Sequence, residues 1–484
     1  MTERRRREIN PSIPLIVQSK RVREVVSKLR RRNLRVKSVI DNYIFVEVPD
    51  WATAEEIARW REVEYITVEK FFIPYAVGID ELIKRISISL HPILSNLSLY
   101  DLYQLGIKVR PAAEIPNPIR AMVENILSFS DILKNPKRLA KMMRGIPPVV
   151  SRVDWQLVTF TRKLLGVPRD NRLGSRTLVG AIDSECVYHP AFRKDFEYIL
   201  LNEISTMSHG LWVSTCAFGD PAPSRYGLFY PVASAAPGAY TFVKVFGAFG
   251  GCSSEQVMKA MEICAKRGVK VVNMSLGGPL TDAVDKEPEC VLLDKLSREY
   301  GTIFVVAAGN EDGAFEIGSP GAALSALTVA AVDWKNTYET SSYSSRGWQG
   351  KYYREHKDVF EEHLERWGDI FLKPDCAGIG GDRDSQIVAG ATPWYDGLFD
   401  FVPDGFEAMT GTSMATPHLA GMVALAVDRG IVRNVEEIKD MLRKTAKTLV
   451  IFSRAMIEGE EMMGKTKEQG WGVFHWLRLK RWKL

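Results

Sequence analysis

With 484 residues, 46% hydrophobic and 25% charged, the chain has a globular composition and room for a large domain plus a smaller one, which excludes disordered and fibrous classes. No run of about 18 apolar residues occurs, so neither a spanning helix nor a membrane partner is expected. The net charge of +5 is uneven: residues 1–37 hold thirteen Lys or Arg and three Glu, giving +10 there and −5 elsewhere. No aromatic stacking platform is interleaved with that basic stretch, and no nucleic-acid partner is expected.

Arg4 to Arg7 precede an apolar stretch, Ile13 to Val17, that is too short for the core of an export signal. This makes the chain cytoplasmic by expectation, with secretion by another route left open. Cys186, Cys216, Cys252, Cys264, Cys290 and Cys376 show no C-x-x-C spacing and read as reduced, mostly buried thiols rather than zinc ligands or a disulfide framework.

Residues 13–72 alternate compactly. The pattern predicts strand Ile13 to Gln18, helix Lys20 to Arg32, strands Leu34 to Ile40 and Tyr43 to Val48, helix Ala54 to Arg61 and strand Tyr65 to Phe71. This is the βαββαβ order of a small α+β, ferredoxin-like domain. Leu, Ile and Met at helical spacing, interrupted by Pro111, Pro116 and Pro118, predict a helical connector over 77–149.

From about residue 150, apolar strands alternate with helices, as in a parallel sheet covered on both faces. Strands are predicted at Leu178 to Ile182, Tyr240 to Phe246, Val269 to Met274, Ile303 to Ala307 and Leu327 to Val332. Ser253 and Gln256 form a capping box ahead of a helix over Glu255 to Arg267, with Gly268 as its stop. A further helix near Val291 to Tyr300 ends at Gly301. The charged, aromatic stretch Gly347 to Ile370 reads as a helical surface insertion.

In open parallel sheets, ligands bind beyond the carboxyl ends of the strands. Asp183 ends the apolar run Val179 to Ile182; alone it is as readily structural. His209, after Ser208 and before Gly210, reads as a histidine at a helix start with its ring free to turn towards solvent, and a lone histidine is usually an ordinary polar residue. Asn310 closes Val305 to Gly309, where small residues admit a substrate and the amide can donate to an oxyanion; alone it could be a turn residue. Gly411-Thr412-Ser413-Met414-Ala415-Thr416-Pro417 is sharper. It places a serine at the start of a small-residue helix, where unsatisfied N–H groups and the helix dipole favour developing negative charge.

Gly411 to Pro417 resembles the nucleophile motif of the subtilisin-like serine peptidases. The segment ending at Asp183, Ser208-His209-Gly210, Asn273 to Gly278, Ala307 to Asn310, Tyr343 to Gly347, Lys373-Pro374-Asp375 and Gly470 to Val473 resemble other phrases of that family in the same order. The resemblance covers roughly 150–484. It implies a doubly wound, mostly parallel α/β domain, and a propeptide-type domain in residues 1–76 that acts as an intramolecular partner.

It further implies a serine endopeptidase acting on proteins or peptides, with Asp183, His209 and Ser413 as triad, Asn310 in the oxyanion hole, and Ser275, Leu276, Gly277, Ala308 and Gly309 along the substrate. No cofactor is expected, because an asparagine-rich calcium loop is not recognisable after Cys216. Leu211-Trp212-Val213-Ser214-Thr215 also departs from the family's Thr-His-Val-Ala-Gly, and Gly347 to Ile370 and Gly380 to Asp404 are extra residues relative to the family, placed to reshape the substrate cleft. A catalytically silent peptide-binding relative is the alternative reading, and its weakness is that all four chemical residues are present. An esterase would require a Gly-x-Ser-x-Gly elbow, which Gly411 to Ala415 does not supply.

Overall fold

The structure is a computed structural model that describes residues 12–74, 154–202, 208–224, 227–247, 251–311, 317–348, 355–391, 405–446 and 461–482. The connector predicted over 77–149 lies outside these residues.

The first unit runs β1 (Ile13–Gln18), α1 (Val22–Arg31), β2 (Arg35–Ile40), β3 (Tyr43–Val48), α2 (Trp51–Ala58) and β4 (Tyr65–Val68). Its strands form an antiparallel sheet in the order β2-β3-β1-β4. Side chains alternate across a strand, so Leu15, Val17, Ile44, Val46 and Val48 meet Val25, Leu29 and Ile57 of the two helices. Asp50 caps α2 by accepting from Thr53 N at 2.7 Å. The opposite side chains, Ile16, Ile40, Tyr43 and Phe45, join a cluster of the large domain.

Where the sequence pattern predicts one strand over Tyr65 to Phe71, the structure has two. β4 stops at Val68, and β5 (Phe71–Pro74) pairs with the large domain instead.

The large domain continues with β6 (Asp154–Leu157), α3 (Val158–Leu164), β7 (Val179–Asp183), β8 (Glu197–Leu200), α4 (His209–Phe218), β9 (Ala222–Ser224), β10 (Gly227–Phe229), β11 (Tyr240–Lys244), β12 (Cys252–Ser253) and α5 (Ser254–Lys266). Then come β13 (Val271–Met274), β14 (Leu276–Gly277), α6 (Pro288–Tyr300), β15 (Ile303–Ala307), β16 (Leu327–Val332), α7 (Lys357–Trp367), β17 (Cys376–Ile379), β18 (Ser385–Gly390), β19 (Phe406–Met409), α8 (Thr412–Asp428), α9 (Val435–Ala446) and α10 (Trp476–Trp482).

Seven parallel strands follow the order β17-β16-β15-β13-β7-β11-β8. Both faces are covered: Ile303 and Val305 of β15 belong to the cluster containing α4 and α8, while Phe304 and Val306 belong to the one containing α5 and α6. That double covering is why these strands read as unbroken apolar runs. The capping box of Ser253 and Gln256 is formed, and Gly301 closes α6 at φ +68°. All six cysteines are free and buried. Of the two stretches read as extra, α7 lies in the first, and β18 of the second joins β6 and β19 in a three-stranded sheet. Among the described residues, no helix is long and apolar enough to cross a membrane.

Candidate active site

β7 delivers Asp183 at its carboxyl end, where the carboxylate is fully buried. Its Oδ1 accepts from Ser184 N at 2.7 Å and lies 2.8 Å from His209 Nδ1. The approach depends on Gly210. A Cβ there would meet the Glu185 carbonyl oxygen at 2.5 Å, so only glycine lets the first turn of α4 seat against the end of β7. Gly210 N in turn donates to Ser184 Oγ at 2.9 Å.

The expectation that the His209 ring faces solvent is corrected here: the residue is fully buried. The reason is that α4 is not a surface helix. All ten of its residues are buried, and Trp212 is pinned by Nε1 donating to the Glu407 carbonyl at 3.0 Å. With Nδ1 turned to a carboxylate, Nε2 is the free acceptor of the ring, and it has no hydrogen-bond partner among the described residues.

Ser413 is the second residue of α8. Gly411 precedes the helix at φ +154°, a backbone that side-chain-bearing residues rarely adopt. Ser413 Oγ donates to the Ser275 carbonyl at 2.9 Å, and Ser275 Oγ donates to the Ser413 carbonyl at 2.9 Å. Asn273 Nδ2 holds Ser275 Oγ at 3.0 Å. The helix start is thus latched to the residue between β13 and β14. In this rotamer no Ser413–His209 hydrogen bond forms.

Asn310 lies three residues past the end of β15. Its Oδ1 accepts from Thr412 N at 2.9 Å and Thr412 Oγ1 at 2.8 Å, and Nδ2 is buried with no partner among the described residues. Gly309 adopts φ +116°, and a Cβ there would lie 2.7 Å from Ser345 Oγ; Gly309 N donates to Thr412 Oγ1 at 3.2 Å. Ala308 N donates to the Val329 carbonyl at 3.0 Å. Buried polar atoms are rarely left unpaired; among the described residues His209 Nε2, Asn310 Nδ2 and Asp183 Oδ2 have no hydrogen-bond partner.

His189 and His418, also buried, do not compete. Burial pushes both His189 and His418 down to about 4. His189 is held between the Gly405 carbonyl and Ala191 N, and His418 between the Met414 carbonyl and Thr161 Oγ1. Among the described residues, no group of three or more His, Cys, Asp or Glu could hold a metal.

Beside the site runs β5. Its Ile73 and Pro74 pair antiparallel with Gly277 and Leu276, and its Phe71 and Phe72 with Ser253 and Cys252 on the other side. Leu276 and Gly277 were expected along the substrate; the second rail at Cys252 and Ser253 was not, because the capping box of α5 accounts for Ser253 fully. Thr412 was also missed. Its place between the serine and the glycine of one motif is the only signal.

The subtilase family model matches residues 177–472, more than half of the chain. The chain belongs to the subtilase family. Among curated subtilases, pyrolysin of Pyrococcus furiosus is 34% identical over 232 residues, which is 44% of this chain and 16% of pyrolysin. Subtilisin of Bacillus sp. strain TA39 is 29% identical over 233 residues, covering 45% of each. The chain therefore spans less than half the length of these relatives. Among solved subtilase-like folds, fervidolysin of Fervidobacterium pennivorans superposes with a TM-score of 0.59 at 15% identity, covering 98% of this chain and 62% of that one. The epidermin leader peptide processing protease EpiP of Staphylococcus aureus gives 0.53 at 15%, covering 97% and 98%. At such identities the likeness concerns the fold.

Proposed function

We propose that this subtilase is a serine endopeptidase in which His209 Nε2 takes the proton of Ser413 Oγ as that oxygen attacks a peptide carbonyl. A serine hydroxyl is too weakly acidic to attack unaided. Asp183 fixes the imidazole tautomer and stabilises the imidazolium without taking the proton. Before attack, Ser413 Oγ exchanges the Ser275 carbonyl for His209. The oxyanion is received by Asn310 Nδ2 and Ser413 N, each such donor contributing about 2.7 to 4 kcal/mol to the transition state. The acyl-enzyme is then cleared by water, and no cofactor takes part.

The observation that carries this reading is β5. An extended segment held between two rails by strand addition runs towards the serine: Pro74 lies opposite Leu276, one residue from the Ser275 whose carbonyl accepts the Ser413 hydroxyl. In this proposal residues 1–76 are a propeptide whose tail occupies the cleft as a product, and Tyr75, the next residue in the chain, contributes the acyl carbonyl.

The test is labelling with a fluorophosphonate and digestion of unfolded casein, each with wild type and Ser413→Ala. Ser413-dependent labelling with casein cleavage supports the endopeptidase. Absent labelling, or cleavage that survives the substitution, rejects it.

A further inference from the structure

The residue just ahead of β5 is Lys70, and its backbone stays in register with the rail. Its N–H donates to Ser254 Oγ, and its carbonyl accepts from Ser254 N, both at 2.9 Å. The side chain enters a closed pocket at the first turn of α6. There Nζ pairs with Glu287 Oε1, lies 3.1 Å from Glu289 Oε2 and donates to the Pro279 carbonyl at 3.3 Å. Lys70 is 4% exposed, and both glutamates are fully buried.

The large domain anchors both carboxylates. Glu287 Oε2 accepts from Thr281 N at 2.8 Å and from Asp282 N at 3.1 Å, and Glu289 Oε2 accepts from Ser319 Oγ at 3.2 Å. Glu289 Oε1 has no hydrogen-bond partner among the described residues. Two carboxylates face one ammonium. When the tail leaves, both carboxylates lose their cation and two like charges are left side by side. Another basic side chain arriving on the same rails restores the pairing.

We propose that Glu287, Glu289 and the Pro279 carbonyl form a substrate subsite, one that selects protein segments carrying a lysine five residues before the residue whose carbonyl is attacked. This inference rests on the endopeptidase reading and adds a selection rule to it. The lysine ammonium supplies the charge, and the main chain from that residue onwards is clamped by Ser254, β12 and β14. Selectivity thus lies well upstream of the scissile bond, where a charge-assisted hydrogen bond to two anchored carboxylates discriminates strongly.

The experiment uses enzyme purified from expression of the full chain and acetylated, internally quenched peptides carrying residues 70–77. One peptide keeps the lysine at the first position and another replaces it with glutamine. Assays run at about pH 8, because burial pushes the Glu287 carboxyl up to about 7. The lysine peptide is expected to show kcat/KM about tenfold or more above the glutamine peptide, mostly through KM. Glu289→Gln and, independently, Glu287→Gln are expected to bring that ratio to below about twofold; the ratio is read, not the absolute rate.

Equal kcat/KM for the two peptides in wild type, with both cut after tyrosine, overturns the subsite and leaves the endopeptidase standing. So does a ratio that survives both glutamate substitutions. No cleavage of either peptide together with no fluorophosphonate labelling of Ser413 overturns the endopeptidase reading and the subsite with it.

Discussion

At the scale of single residues, the site depends on how neighbours restrict each functional group. Thr412 uses both its N–H and its hydroxyl on Asn310 Oδ1, and this fixes which end of the amide is left to donate. Asn310→Ala is therefore expected to lower kcat by about 10² to 10³ with a smaller change in KM, read by steady-state kinetics on a peptide; an unchanged kcat removes Asn310 from the oxyanion hole. The places of Asp183, His209 and Ser413 in the fold were legible because each ends a strand or opens a helix, whereas Asn310 lies three residues beyond its strand. The burial of His209 was not legible. Whether a helix start faces solvent is decided by α8 and β18, which follow it by some 200 residues.

Elements show the same division. β15 and β16 occupy the spans that their apolar runs predict, since a strand buried on both faces carries its environment in its own composition. β5 could not be read that way: Phe71 to Pro74 become a strand only because β12 and β14 lie on either side. Phe72 is fully buried in the cluster of α5 and α6. In a Ser413→Ala background, Phe72→Ala is expected to lower the unfolding free energy of the docked chain by about 3 to 5 kcal/mol, measured by denaturant titration. A loss well under about 1 kcal/mol would mean that the strand adds little to docking.

The carboxyl-terminal segment is anchored differently. Asp375 Oδ2 lies 2.8 Å from Lys373 Nζ, and its Oδ1 lies 3.1 Å from Lys465 and 3.4 Å from Lys439. One carboxylate cannot neutralise three buried ammonium groups, and burial pushes Lys373 well down and Lys465 down to about 8. The ordinary value is 10.5, so between these two values the unfolded chain holds a proton that the folded chain has released. Stability from Lys465 therefore rises with pH across that window. The unfolding free energy of wild type relative to Lys465→Met is expected to shift in favour of wild type from pH 7.5 to pH 10, and a flat difference would contradict the lowered value.

Across the whole molecule, the first unit is a sheet with no free face. One side is covered by α1 and α2, while the other, with Ile16, Tyr43 and Phe45, is buried in the cluster of the large domain. Around this apolar contact lie Lys37–Glu255 at 2.8 Å, Asp41–Lys295 at 2.5 Å and the Tyr65 hydroxyl donating to Asp282 at 2.6 Å. Residues 1–76 sum to +5 and residues 154–484 to −5, which favours attraction between the two parts. That the second face of the sheet is apolar was not legible as docking, because a buried strand looks the same whatever covers it. If the first unit is a propeptide, wild type is expected to cut itself near Tyr75 while Ser413→Ala stays full length, as seen by gel and by sequencing of new termini. A fragment of residues 1–76 added in trans is expected to inhibit the processed enzyme more strongly at about 0.05 M than at about 0.5 M salt. Lys37 and Lys295 are partly exposed and screening reaches such pairs, whereas the buried Lys70 pairing is screened far less. Inhibition that persists at high salt is then assigned to β5 and Lys70, and should fall with Lys70→Gln. An uncut, active wild type with a fragment that folds but neither binds nor inhibits would reject the propeptide role.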